Sequence, residues 1–170
     1  MKIHALGILI IASAWMGWAN PTTRMKIATP DFTDSGMIPS RFTGDGEDVN
    51  PTLEISDVPT EARSLALIVD DPDAPRGTWT HWLLWNVQPT TTQIPENSVP
   101  EGAVQGTNDF PAARYNGPMP PSGTHRYFFK LYALDTMLSL PAGSDRKAVD
   151  KALQGHIIAE AQWMGRYERK

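Results

Sequence analysis

Residues 64–75 read Ser64-Leu65-Ala66-Leu67-Ile68-Val69-Asp70-Asp71-Pro72-Asp73-Ala74-Pro75, an apolar run that ends in a turn holding three carboxylates and two prolines. Five consecutive apolar residues leave no polar face, so the run fits a strand covered on both sides and is expected at the centre of a sheet. The two prolines have fixed φ and stiffen the turn that follows. Asp71 and Asp73 are therefore presented at a strand end with little conformational freedom left to lose.

Two further segments carry the period-2 alternation of half-buried strands. Over residues 78–87, Trp79, His81, Leu83, Trp85 and Val87 fall on one face, and Thr80, Trp82, Leu84 and Asn86 on the other. Over residues 125–134, His125, Tyr127, Phe129, Leu131 and Ala133 share a face, so His125 and Tyr127 point the same way. Between positions 29 and 62, glycines, prolines and aspartates stand at turn-like positions, which predicts a loop-rich entry with short strands such as 52–55. Near the C-terminus the period changes. Ser144 is a plausible N-cap, and Ala148, Ala152, His156, Ala159 and Trp163 are spaced for one side of a helix that Gly165 would stop, with Gly155 a point at which it can split in two. Strands first and helix last predict a mainly β or α+β domain.

The chain has 170 residues and a formal net charge of −4. That length suits one domain, expected over residues 25–170. No basic excess exists to displace counterions from a phosphodiester backbone, which argues against nucleic-acid binding. The absence of cysteine excludes disulfides, thiolate metal sites and a cysteine nucleophile. Lys2 and His4 followed by an apolar run to Trp18, with small residues at Gly17 and Ala19, form the layout of a secretory signal peptide over residues 1–19, extending to 24 at most. The 14-residue apolar run is too short for a stable membrane-spanning helix. Export to the periplasm or the medium is expected, or a cytoplasmic location if Met25 is the true start.

Chemistry-bearing residues gather in three blocks. The first is the Asp71–Asp73 turn with Pro75. The second holds His81, whose ring nitrogens must find partners if buried, since leaving them unpaired costs about 1–3 kcal/mol; a core role and a ligand-binding role are both open. The third is the stiff Tyr115-Asn116-Gly117-Pro118-Met119-Pro120-Pro121-Ser122-Gly123-Thr124 segment, which leads into His125 and Tyr127. Two rival readings follow from residue types, and a third comes with a family resemblance. Asp71, Asp73, His81 and His125 can be set out as a metal-dependent or acid–base hydrolase. A Ser122–His125 nucleophilic pair lacks a nucleophile elbow. A protein-interaction module would act through its surface loops.

Taken together the blocks resemble the phosphatidylethanolamine-binding protein family, most closely its bacterial Raf-kinase-inhibitor-like branch. The likeness runs from about Lys26 to the C-terminus through Gly36-Met37-Ile38-Pro39-Ser40-Arg41-Phe42, Val49-Asn50-Pro51, Asp71-Pro72-Asp73-Ala74-Pro75, His81-Trp82, Gly117-Pro118-Met119-Pro120-Pro121 and His125-Arg126-Tyr127. Gly44 and the stretch 111–114 depart from the branch's pattern. The resemblance implies an antiparallel β-sandwich with a few peripheral helices, including one near the C-terminus. It also implies a small anion-accepting pocket at one end of the main sheet, lined by Asp71, Asp73, Pro75, His81, Gly117, Pro120, Pro121, His125 and Tyr127. Imidazole and phenol groups donate to phosphoryl oxygens, and a carboxylate orients an imidazole or accepts from a head-group ammonium. The implied partner is a phosphate-like anion or a phosphoethanolamine-type head group, with no cofactor, no metal and no catalysis. Inhibition of a protease or kinase, peripheral membrane contact and homodimer formation are the alternatives such a family brings.

Overall fold

The computed structural model describes residues 24–169, so the expected signal peptide lies outside the described residues. In chain order the strands are β1 (Lys26–Ala28), β2 (Leu53–Ser56), β3 (Ser64–Asp71), β4 (Trp79–Val87), β5 (Gln93–Ile94), β6 (Val104–Gln105), β7 (Thr124–Leu134) and β8 (Ile157–Glu168). One α-helix, α1 (Arg146–Leu153), precedes β8, and a 3-10 turn spans Ser40–Phe42. The strands form a five-stranded sheet in the order β6-β4-β3-β7-β8 and a three-stranded sheet β1-β2-β5, with every pairing antiparallel.

The apolar run of β3 is buried along its whole length and lies at the middle of the large sheet, as its sequence requires. Its two faces serve two cores. Leu65, Leu67 and Val69 meet Ile27, Leu53, Ile55 and Ile94 of the small sheet, together with Trp82, Leu84, Phe129 and Leu131. Ala66 and Ile68 join Leu83, Trp85, Leu134, Val149 and Leu153, so α1 covers the outer face. The architecture is an antiparallel β-sandwich with a helix on the outside of its larger sheet.

Alternation along β4 is broken twice. Between the pairs Val69–Trp82 and Asp70–Thr80, β3 advances one residue and β4 two, so His81 is the extra residue of a bulge. A second irregularity lies between the Leu65–Val87 and Leu67–Leu84 pairs, where Asn86 takes a positive φ of 57°. The single face expected for His81, Leu83, Trp85 and Val87 is therefore split. Leu83 and Trp85 face α1, whereas Val87 joins Trp82 and Leu84 in the inter-sheet core.

The C-terminal segment corrects the sequence reading more strongly. The helix is real but ends at Leu153; Asp145, not Ser144, caps it, its side chain accepting from the Ala148 N–H at 2.8 Å. Gly155, at φ 80°, turns the chain into β8, which pairs with β7 from Leu134–Ile157 to Thr124–Glu168. Ala159, Ala161 and Trp163 pack toward the inter-sheet core, with Tyr167 further along. Gly165 therefore lies inside a strand rather than stopping a helix. It sits opposite Tyr127, and a Cβ there would come within 2.4 Å of the Ile38 side chain and 2.8 Å of Phe32. Residues 35–38 run along the free edge of β8 at this point, through Ser35 N–H to Met164 O, Arg166 N–H to Gly36 O and Ile38 N–H to Arg166 O. That edge is thus covered by the chain's own backbone.

Candidate functional site

Three connections converge at one end of the large sheet: the turn after β3, the start of β4 with its bulge, and the long segment leading into β7. They enclose a cleft of about 400 Å³ lined by Asp71, Ala74, Pro75, Arg76, Trp79, His81, Phe110, Met119, Pro120, Pro121 and Tyr127.

Asp71 ends β3 on the core face and is buried. One of its oxygens accepts the Asp73 backbone N–H at 2.8 Å, which fixes the turn, and the other accepts from His125 Nδ1 at 2.7 Å. His125 is itself buried, so a carboxylate orients its imidazole and leaves Nε2 as the nitrogen open to a ligand. On β4 the bulge rotates His81 onto the same face as Tyr127, with the two rings edge-to-face at 5.2 Å. His81 Nδ1 donates to the Asn116 carbonyl at 2.7 Å. Burial pushes the His81 imidazole below its ordinary value, against the Asn116 hydrogen bond and the Asp71 charge that pull it up, so the ring is neutral near pH 7. Nδ1 carries the proton, and Nε2 presents a lone pair.

Tyr127 is almost wholly buried, and its hydroxyl has no hydrogen-bond partner among the described residues. Burial pushes the phenol up, and the Asp71 carboxylate, close enough to attract the hydroxyl by charge and as a weak acceptor, pushes it further, so the hydroxyl is a donor at any ordinary pH. The Trp79 indole N–H, in the same wall, is also buried without a partner among the described residues. Phe110 stacks edge-to-face on both Trp79, at 5.6 Å, and His81, at 5.3 Å.

Of the residues singled out from sequence, Asp71, Pro75, His81, Pro120, Pro121 and Tyr127 line the cleft, and His125 stands beside it bonded to Asp71. Asp73 does not line it. Its carboxylate is gripped by Arg126, which donates from its backbone N–H at 2.9 Å, from Nε at 2.9 Å and from an Nη at 2.7 Å. The Arg126 side-chain hydrogen bonds hold the Asp73 carboxyl at about 2, below the usual range. Asp73 thus ties the turn to β7. Gly117 does not line the cleft either. A Cβ there would stand 2.3 Å from the Phe42 carbonyl oxygen and 2.6 Å from Thr43 Cα, so only glycine lets this segment lie against the 42–43 backbone. No group of three or more His, Asp or Glu side chains is placed to share a metal ion among the described residues.

Arg76, Trp79, Phe110 and Met119 belong to the cleft but not to the sequence-derived set. Arg76 and Met119 are sequence neighbours of Pro75 and Pro120, a signal that was available. Phe110 had none, because it reaches the cleft only through the fold of the loop after β6.

The chain is thus an antiparallel two-sheet sandwich with a small cleft, lined by polar, aromatic and proline side chains, at one end of its larger sheet. The phosphatidylethanolamine-binding protein family model matches residues 28–168, and the chain belongs to that family. A UPF0098 protein of Methanothermobacter thermautotrophicus is 51% identical over 150 residues, covering 85% of this chain and 99% of that protein. Among solved structures, the phosphatidylethanolamine-binding protein homologue CT736 from Chlamydia trachomatis superposes with a TM-score of 0.83 at 39% identity, covering 87% of this chain and 99% of that one. YbcL of E. coli, described as a member of the mammalian PEBP family, gives a TM-score of 0.82 at 32% identity and covers 86% of this chain and 99% of its own.

Proposed function

We propose that the cleft binds a phosphate-like anion, free or as the head group of a larger molecule such as a phosphoethanolamine ester, without catalysing its breakdown. The observation that carries this reading is the Tyr127 hydroxyl, a buried donor beside Asp71 that makes no hydrogen bond of ordinary length among the described residues, in a cleft that also holds Trp79 with its unpartnered N–H. A buried unsatisfied donor costs about 1–3 kcal/mol, and a ligand oxygen would recover that cost. His81 and His125 each have Nδ1 committed, so Nε2 of either ring would donate to a ligand oxygen once it takes up a proton, or accept from a protonated one. Asp71 can accept from a head-group ammonium, and Arg76 adds a cation at the lip. The proline-rich lip accommodates an uncharged remainder. An exported protein meeting a soluble phosphoryl ester, or the surface of a membrane, is the setting this reading favours.

Calorimetric titration with inorganic phosphate and with phosphoethanolamine tests it, using the wild type and Tyr127→Phe. Binding should weaken about tenfold in the variant, the loss of roughly one hydrogen bond to a charged acceptor. The ligand-free variant should be as stable as the wild type or more so, because an unpaired buried hydroxyl has gone. Equal binding by both proteins would remove the hydroxyl from the site, and no binding by either would end the anion reading.

A further inference from the structure

We propose that Asp48, outside the cleft, is a positioning residue for His81 and acts on it through the Asn116–Gly117 peptide group. The chain of contacts is continuous. One Asp48 oxygen accepts the Gly117 N–H at 2.6 Å, and the carbonyl of that same peptide unit, Asn116 O, accepts from His81 Nδ1 at 2.7 Å. A carboxylate on the N–H side of an amide draws its resonance toward the charge-separated form and makes its carbonyl a better acceptor. Asp48 thus does for His81, across one peptide bond, what Asp71 does for His125 directly.

The peptide is locked in place from every side. The other Asp48 oxygen accepts from the Asn116 side-chain amide at 3.0 Å, and the Asn116 backbone N–H donates to His81 O at 3.1 Å. The Asn108 side-chain amide lies 3.0, 2.9 and 2.9 Å from His81 O, Arg114 O and Asn116 Oδ1, its two hydrogens shared among the three acceptors. A glycine is required at 117 for the peptide to reach this position at all. Asp48 itself holds a left-handed backbone at φ 58°. Arg114, more than half exposed, pairs with Asp48 at 2.9 Å and offsets part of its charge. The other charged or titratable groups facing His81 are Asp71 and Asp70 of β3, Tyr127 of β7, and Arg76 on the cleft lip.

Because Asp48 bonds the peptide and Arg114 pairs with Asp48 while donating to the Tyr115 carbonyl, removing the one charge must move His81 in the opposite direction to removing the other. Long-range ¹H–¹⁵N NMR of the histidine rings reads this without any ligand. In the wild type His81 should be the Nδ1–H tautomer. In Asp48→Asn its titration midpoint should fall, and in Arg114→Gln it should rise, with His125 unmoved in both. A role confined to holding the loop would not produce opposite signs. An Nε2–H tautomer in the wild type, or a His81 midpoint unchanged in folded Arg114→Gln, would overturn the proposal even if Asp48→Asn failed to fold. The inference draws its purpose from the anion reading of the cleft, so inorganic phosphate is titrated in parallel, with Asp48→Asn expected to bind about fivefold more weakly. If the ring responses appear while phosphate binds neither protein, the Asp48 coupling stands and the anion reading falls.

Discussion

At the scale of single residues, one imidazole lines the cleft and a second stands beside it, in different states of dress. His125 is backed by a carboxylate, while His81 is backed by a carbonyl and kept neutral by burial. The sign of a pH effect follows. An anion placed beside His81 favours the imidazolium, so the complex holds more protons than the free protein, and affinity must rise as pH falls through the histidine range. Sulfate, whose own charge is constant there, should bind more tightly at about pH 6 than at about pH 8, with proton uptake measured in buffers of different ionisation enthalpy. Flat or inverted dependence would show that His81 does not face the anion. Much of this chemistry could be read from sequence. Strict alternation put His125 and Tyr127 on one face, and rigid prolines marked the Asp71 turn. The position of His81 relative to Leu83 and Trp85 could not be read, because a bulge carries no residue signature of its own and is fixed by pairing with β3. Asp73 was misjudged for a related reason: its partner Arg126 lies 53 positions along the chain.

At the scale of elements, β8 shows where pattern reading divides. Ala159, Ala161, Trp163 and Tyr167 obey a period of two, whereas Ala148, Ala152, His156, Ala159 and Trp163 obey a period close to four, and the sequence supports both. Pairing with β7 at ten successive positions, and at an eleventh beyond a one-residue shift, selects the strand, since tertiary hydrogen bonding outweighs a local preference worth tenths of a kcal/mol per residue. Gly165 is the residue on which this strand's fit depends. Gly165→Ala should cost about 1–3 kcal/mol in chemical denaturation, because the added methyl meets the buried Ile38 and Phe32 side chains. A neutral result would mean that residues 32–38 yield readily and do not clamp the β8 edge.

For the molecule as a whole, the sandwich is pinned on its outer side by charge as well as by apolar packing. Asp70, fully buried on the helix-facing side of β3, meets Lys130 of β7 at 2.8 Å and Arg146 of α1 at 3.0 Å. Arg146 continues to Asp150 at 2.7 Å. Asp70→Ala would leave two cations without their shared anion and should cost about 2–4 kcal/mol, somewhat below a fully buried pair because both cations reach water. A loss under about 1 kcal/mol would place the hold of α1 in its Val149 and Leu153 contacts alone. A mainly β or α+β domain was legible from one apolar run and two alternating segments, and the sandwich from the family resemblance. The tie from β3 to α1 was not, since Asp70 reads as part of the turn until the sheet shows which way it faces.

Three of the eleven residues that line the cleft are imino acids, Pro75, Pro120 and Pro121, whose nitrogens have no hydrogen to offer. These three residues offer an incoming oxygen no backbone donor, so on the anion reading its hold would come from Arg76 and from the buried side chains. Such a rim would sort visitors by reach, admitting a slender charged tip more readily than a bulky or branched one. Trimming or enlarging the rim should change which molecules enter, and how fast, while leaving the strength of the final grip almost untouched.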